Sequence, residues 1–374
     1  MVSKLIKQKN NHSHFLTFAI LWICILILTP LAPAGLDKDQ MIWEARKALE
    51  NADSFMGDWQ GGWSLDDGTN SGELVAQVIA LGKGTYKANF NGEFDYFWPP
   101  LFELSGRRED AAVQFNGKPE IGNMTLDIQS TIGNGKFTGK FKGIGDDGLE
   151  RTGKFSMEKV IRLSPTLGAK PPAGAMVLFD GKNFNAWQPI RPRPGIKSIQ
   201  WKLLDNGAME VKPRTSSIIT KKKYTNVKLH IEFRSPFMPD ARGQARGNSG
   251  VYLQGRYEVQ ILDSYGLEGL DNECGGIYKV ARPRVNMCAP PTQWQTYDIT
   301  FHTSGVNDSG EKTGPRMTVL HNGVLIHDMV SVSKPTTAAP DPSRSGPGGI
   351  YLQDHGNLVQ FRNIWVVALP EATP

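Results

Sequence analysis

The chain has little that would staple it or hold a metal: three cysteines and seven histidines in 374 residues. Two cysteines, Cys274 and Cys288, lie beyond the N-terminal segment, too few for a cysteine-rich zinc site. His302, His321 and His327 show no ligand spacing and read as structural. Formal net charge is only +5, and no basic stripe interleaved with aromatics appears, which argues against nucleic acid as a partner. Beyond residue 34 no stretch is long and apolar enough to span a bilayer. The Gly-rich turn Arg246-Gly-Asn-Ser-Gly250 lacks both the phosphate-loop pattern and the helix that should follow it. No cofactor is expected. A divalent ion such as calcium stays open, because loop Glu, Asp and Asn oxygens suit it, although no contiguous calcium-loop pattern is present.

What the sequence does have begins at its start. Lys4, Lys7 and Lys9 precede an uncharged apolar run, Phe15 to Leu28. Pro30 breaks the run, and Ala32-Pro33-Ala34 supplies small residues. Basic head, short greasy middle and small-residue end are the parts of a secretion signal, here residues 1–34. The alternative is a retained membrane anchor, for which the run is short. Setting aside three signal lysines leaves +5 − 3 = +2 for the exported body. Export implies the periplasm or the cell exterior. There an even cysteine count predicts one disulfide, Cys274–Cys288, closing a loop of about 15 residues and worth roughly 3 kcal/mol. Two free thiols are the alternative.

The forty glycines and 24 prolines fit many short strands joined by turns. One helix is expected, from Leu36 to Ala52, where Ile42, Ala45, Leu49 and Ala52 recur at helical spacing. From Gly57 to about Arg162 the pattern is a strand meander, a small barrel or sandwich punctuated by Asn91-Gly92, Asn116-Gly117 and Asn134-Gly135. Its Trp59, Trp63 and Trp98 suit either a core or a sugar-stacking platform. Residues 164–174, rich in Pro and Gly, read as a linker between an accessory domain (35–163) and a second domain (175–370). In the second, Val227 to Arg234 alternates strictly, as a half-buried strand does. Tyr297–His302, Met317–Leu320, Val324–Val330 and Phe361–Val367 behave similarly. Such antiparallel runs predict a two-sheet jelly-roll sandwich, so the whole chain is expected to be all-β apart from its one helix. Gly250-Val-Tyr-Leu-Gln254 is echoed by Gly349-Ile-Tyr-Leu-Gln353, two strands that present Tyr and Gln alike.

The strongest polar constellation is Tyr257-Glu-Val-Gln-Ile-Leu-Asp263. Glu258 and Gln260 share one strand face; Tyr257, Val259 and Ile261 take the other. Asp263 joins Glu258 only across a bulge. A carboxylate on a sheet face costs free energy unless solvated or paired, so this face is either a site or a solvated exterior. The second candidate is Gln353-Asp-His-Gly-Asn357, where His355 sits on a loop and suits proton transfer near neutral pH. His230 and Glu232 join the site only if their sheet face is the concave one. Tyr278 and Lys279, in the cysteine-bounded loop, are placed at the rim.

Taken together, Leu178-Phe-Asp-Gly-Lys-Asn-Phe-Asn-Ala-Trp187, Gly247-Asn-Ser-Gly-Val-Tyr-Leu253, Tyr257 to Asp263, Gly276-Ile-Tyr278, Trp294-Gln-Thr-Tyr-Asp-Ile299, His321-Asn-Gly323, Leu352-Gln-Asp-His-Gly-Asn357 and Val359-Gln-Phe-Arg-Asn-Ile364 resemble the 3-keto-disaccharide hydrolase family, in the family's order. The likeness covers about residues 175–369. The meander looks like an extension that precedes this domain in some exported bacterial proteins. The resemblance implies a concanavalin A-like sandwich that cleaves glycosides already oxidised at C3, by 1,2-elimination and hydration of the 2-hydroxy-3-keto-glucal. The substrate is then an oxidised disaccharide or glycoside. Such chemistry needs a base, an acid and an enolate stabiliser. His355 and Glu258 are the expected base and acid, in either order. Gln260, Asn248 or a cationic group is placed near the developing oxyanion. Asp263 is expected to orient the ring or bind metal, with Glu232, Tyr252 and Gln353 also contacting substrate. Laminarinase-type glucanases on this fold carry Glu-x-Asp-x-x-Glu; here the spacing reads Glu258-x-Gln260-x-x-Asp263, which argues against double displacement by two carboxylates. A non-catalytic carbohydrate-binding sandwich and a conventional glucanase are the competing readings.

Overall fold

The structure, a computed structural model, describes residues 38–94, 99–145, 147–190, 194–303, 305–306, 312–343 and 345–370. The secretion signal and Trp98 lie outside the described residues. Among the described residues no helix is long and apolar enough to cross a membrane.

Helix α1 (Lys38–Ala52) leads into a barrel of β1 (Gly57–Leu65), β2 (Ser71–Ala80), β3 (Thr85–Asn91), β4 (Phe102–Glu109), β5 (Ala112–Gly117), β6 (Glu120–Ile121), β7 (Met124–Gly133), β8 (Lys136–Ile144) and β9 (Glu150–Val160). The strands pair in the order β5-β4-β3-β2-β1-β9-β8-β7, and β5 also pairs with β7. That last pairing closes the barrel and removes both free edges, with β6 a short flap on β7. Asn134 and Gly135 both have positive φ, the geometry of a type I′ turn, and so return the chain from β7 into β8 in tight register. Strand β4 was not expected. Five of its eight residues are exposed, and one inward position is a glycine, so it has little alternating hydrophobicity. The interior is filled. Trp59, Phe90, Phe115, Phe137 and Phe155 are buried and meet at ring-centroid distances of 5.2–5.9 Å. Trp59 and Trp63 are therefore core and offer no platform to a sugar.

The second half comprises β10 (Met176–Phe179), β11 (Trp187–Ile190), β12 (Lys202–Leu203), β13 (Met209–Glu210), β14 (Ser217–Thr220), β15 (Val227–Arg234), β16 (Ser249–Leu253), β17 (Tyr257–Ile261), β18 (Gln295–His302), the short pair β19 (Gly305–Val306) and β20 (Lys312–Thr313), β21 (Arg316–His321), β22 (Val324–Ser331), β23 (Tyr351–Leu352) and β24 (Gln360–Ala368). Two antiparallel sheets form. One runs β12-β13-β24-β15-β18-β21-β22, with β10 also on β24; the other runs β11-β14-β23-β16-β17. Their apolar faces meet as a sandwich. Leu229, Ile231 and Phe233 of β15 and Ile299 and Phe301 of β18 pack toward Val251, Tyr257, Val259 and Ile261. Tyr257 and Phe301 touch across the gap at 5.5 Å, and Tyr297 donates through it to the Gln260 carbonyl at 2.7 Å.

The segment after β9 is not a loose tether. Ser164 and Thr166 hydrogen bond to Thr296, Thr166 also to Asp298, and the Gly168 amide donates to Glu232 Oε1. This strap lies on the outer face of the larger sheet. The barrel also grips the sandwich directly: Asn89 donates to the Gly266 carbonyl, and Tyr265 donates to Asp58, both at 2.7 Å.

Candidate functional site

The outer face of the five-stranded sheet is polar. Register places Tyr351 of β23 beside Tyr252 of β16, and Tyr252 beside Glu258 of β17. A second row sets Gln353, just past β23, next to Gly250, and Gly250 opposite Gln260. Glu258, Gln260, Tyr252 and Gln353 thus share one face, with Val251, Val259 and Leu352 turned into the core. The Tyr echo is real: Tyr252 and Tyr351 meet edge to face at 4.8 Å. Its Gln partners diverge. Gln353 stays on this face, whereas Gln254 has φ +55° and turns away to the Tyr224 and Thr225 carbonyls.

Gly250 decides how Glu258 lies. A side-chain carbon on Gly250 would overlap Glu258 Oε1 and the Tyr252 ring. The carboxyl therefore folds over the glycine and accepts from the Tyr252 hydroxyl. Glu258 is 3 % exposed. Burial raises its pKa from an ordinary 4.5 to about 8; the tyrosine hydrogen bond pulls the other way and loses. At neutral pH the group holds a proton. Tyr252 is pushed up as well, by burial first and then by the carboxyl beside it. Gln353 Nε2 donates to the Tyr252 hydroxyl at 3.2 Å, while its buried Oε1 has no partner. An orphaned acceptor beside a protonated acid suits a ligand hydroxyl.

Walls rise around this floor. Gln260 Nε2 donates to Gln244 Oε1 at 2.9 Å, and Asn248 Nδ2 donates to the Gln244 carbonyl at 2.8 Å. The Asn248 amide donates to Asn357, joining the β16 approach to the His355 loop. That loop is pinned by Asp354, which accepts from the Thr215 and Gly356 amides while its own amide donates to Ser217. His355 is left exposed over a cleft of ≈ 600 Å³ lined also by Arg214, Thr215, Ser217, Tyr351 and Asp354. His355 and Glu258 lie at opposite ends of the Tyr351–Tyr252 floor. β23 and β17 are separated by β16, so roughly 10 Å of sheet lies between them. Tyr278, whose amide donates to the Glu258 carbonyl, stands at the far rim; Lys279 beside it is paired with Asp271. A larger groove, ≈ 920 Å³, crosses the barrel's outer face past Gln114, Gln129, Lys140 and Lys154, but holds no histidine and no buried carboxyl.

Three expectations fail on geometry. Glu232 faces away from this site, on the outer face of the other sheet. It is buried there between Arg362 Nε at 2.6 Å, the Asn363 amide at 2.8 Å and the strap. His230, next to it, stacks on Trp365 and bonds Asp298 at 2.8 Å. Asp263 does not reach the Glu258 face. It is wholly buried against Arg246 Nε at 2.7 Å, so its oxygens hold a guanidinium and are closed to a sugar or a metal. Cys274 and Cys288 are free buried thiols hydrogen bonded to each other, with no disulfide between them. Tyr297 also binds the Cys274 sulfur, and Cys288 donates to the Leu262 carbonyl, so each sulfur is satisfied without a covalent link. His321, on Gln295, and His327, on the Gly275 carbonyl, are buried structural residues. Among the described residues no three His, Cys, Asp or Glu side chains gather to hold a metal. Arg214, Ser217 and Gln244 were missed because no motif marks them. The one local sign is the positive φ of Arg214, which a sequence does not display.

Residues 174–367 match the model of the 3-keto-alpha-glucoside-1,2-lyase-like domain. The chain belongs to that family, which places it among the carbohydrate-active enzymes. Two solved structures from Parabacteroides distasonis, each provisionally named a glycosyl hydrolase, resemble it. One is 34 % identical over 53 % of this chain and 85 % of its own length, with a TM-score of 0.46. The other is 22 % identical over 53 % of this chain and 94 % of its own, with a TM-score of 0.40. No curated protein matches the chain.

Proposed function

We propose that the protein is an exported enzyme that cleaves 3-keto-glycosides by 1,2-elimination and then hydrates the product. The observation that carries this reading is Glu258: a buried carboxyl kept protonated near neutrality on the polar face of the five-stranded sheet, where among the described residues no second buried carboxylate lies. Double displacement needs two carboxyl groups about 5 Å apart. Elimination needs one good acid, one base and hydrogen-bonding groups for an enolate.

A C3 ketone acidifies the C2 hydrogen. His355, exposed at the cleft rim, takes that proton, and the electron pair moves into an enolate across C2 and C3. As the C1–O bond breaks, neutral Glu258 gives its proton to the departing oxygen. The products are the free alcohol and a 2-hydroxy-3-keto-glucal. Water then adds across C1 and C2: the Glu258 carboxylate takes a proton from the water as its oxygen joins C1, and protonated His355 gives the C2 proton back. Gln353 Oε1 accepts a ring hydroxyl, and Gln260, Asn248 and Tyr252 line the ring's path. The signal read in residues 1–34 puts this reaction in the periplasm or outside the cell.

The test is to incubate the purified protein with a 3-keto-glucoside and, separately, with its unoxidised parent. Turnover of the ketone alone is expected. Cleavage of the parent points to a glucanase, and binding without turnover to a non-catalytic sugar module; either result sinks the proposal. With the ketone, kcat should fall on the basic side with an apparent pKa near 8, and Glu258→Gln should abolish that limb along with most of the activity.

A further inference from the structure

The barrel touches the sandwich at loops that flank the Glu258 face. Tyr265 lies two residues past Asp263 in the loop after β17 and is 1 % exposed. Its hydroxyl donates to Asp58 Oδ1 of β1 at 2.7 Å, and the other Asp58 oxygen takes Arg162 Nε at 2.8 Å. The next carbonyl, of Gly266, accepts from Asn89 of β3. Arg242, at the head of the facing loop, donates to the Leu81 carbonyl at the end of β2. So the barrel holds both loops, 242–248 and 263–266.

The two loops are fastened to each other. Asp263 Oδ2 takes Arg246 Nε at 2.7 Å, and the Asp263 amide donates to the Arg246 carbonyl at 3.0 Å. Two residues on, Asn248 reaches Gln244, and Gln244 reaches Gln260 on the floor. The path from barrel to cleft is therefore a line of short polar contacts: Asp58 to Tyr265, along the backbone to Asp263, then Arg246, Asn248, Gln244 and Gln260. Buried polar chains of this kind hold discrete geometry, because each broken member leaves a partner unsatisfied.

We propose that the N-terminal barrel is a positioning domain for the cleft, with Asp58 and Tyr265 as positioning residues that fix Gln244 and Asn248 over the Glu258 face. The proposal rests on the cleft being the substrate site. Its physical core, that the barrel rigidifies these loops, is testable without substrate.

The experiment uses the full chain and three variants. Tyr265→Phe keeps the ring and removes only the hydroxyl. Asp58→Ala removes the acceptor, and Asp58→Asn restores one. Hydrogen exchange is read across the molecule. In Tyr265→Phe and Asp58→Ala, amides of residues 242–248 and 263–266 should exchange about tenfold faster, while β15 and β24 stay unchanged; Asp58→Asn should regain most of the protection. With a 3-keto-glucoside the same variants should raise KM about tenfold and leave kcat within about twofold, because Gln244 and Asn248 hold substrate and move no proton. Unchanged exchange in both loops for Tyr265→Phe overturns the proposal, and so does a uniform rise over the whole sandwich. If Asp58→Ala does not fold, Tyr265→Phe decides. If the unaltered protein turns over no ketone, the functional reading has failed, and the exchange pattern still judges the coupling.

Discussion

Glu258 is held where solvent would not put it, and that has a measurable cost. Its folded pKa lies above its ordinary value, so the neutral form is the one the fold prefers. The native state binds this proton more tightly than the unfolded chain does. The resulting contribution to stability is complete below about pH 4.5 and is lost as pH rises through about 8. Glu258→Gln keeps the shape and removes the ionisation. It should match the parent in urea unfolding at pH 4 and exceed it by about 4 kcal/mol at pH 8. An equal difference at both pH values would refute the burial argument. Gly250→Ala addresses the same carboxyl from below. The added carbon overlaps Oε1 and the Tyr252 ring, so Glu258 must move. A loss of about 1–3 kcal/mol is expected, with a fall of Glu258's basic-limb pKa toward the ordinary carboxylate range as the carboxyl is driven outward.

The strap and strand β4 show how elements depend on single residues. Glu232 joins β15 to β24 through Arg362 and to the strap through the Gly168 amide. The Asn363 bulge in β24, with φ +45°, turns its amide onto both Glu232 and the Ala169 carbonyl. Removing one member of a buried pair leaves an uncompensated charge, so Glu232→Ala should destabilise the protein by about 3–5 kcal/mol, measured by chemical unfolding. Because Glu232 lies on the opposite sheet, the surviving folded enzyme should keep its kcat. In β4, Gly106 leaves room for the Phe115 ring. Gly106→Val has nowhere to go, and a drop of at least ~2 kcal/mol in barrel stability is expected by calorimetry. The alternation of β15 was plain in the sequence, since its outer and inner residues differ sharply in polarity. That of β4 was not, because Phe102 and Leu104 are its only inward apolar side chains and the next inward position is Gly106.

Across the whole molecule, an aromatic-filled barrel and a sandwich meet through a few buried polar contacts at Asp58, Asn89 and Tyr265. The filled interior leaves the barrel nothing to bind inside, and its contacts fall on the loops beside the cleft. The catalytic-looking half and the accessory half are in this sense one device. The packed sheet supplies rigidity under Tyr252 and Tyr351, and in the proposed function the loops beside it supply the groups for a sugar.

The all-β class, the helix near residue 38, the turn at Asn134-Gly135 and the shared face of Glu258 and Gln260 were all legible in residue order. Each follows from short-range periodicity or from a residue's own dihedral preference, and both are local. Long-range packing set what covers each of the two polar faces. Glu258 and Glu232 sit in strands of similar pattern, and nothing local tells an outer face covered by the strap from one covered by the Gln244 loop. Packing also set that Asp263 belongs to Arg246, that Cys274 and Cys288 are hydrogen-bonded thiols, and that Glu258 holds its proton. Those outcomes depend on burial and on partners far along the chain, and no local pattern encodes either.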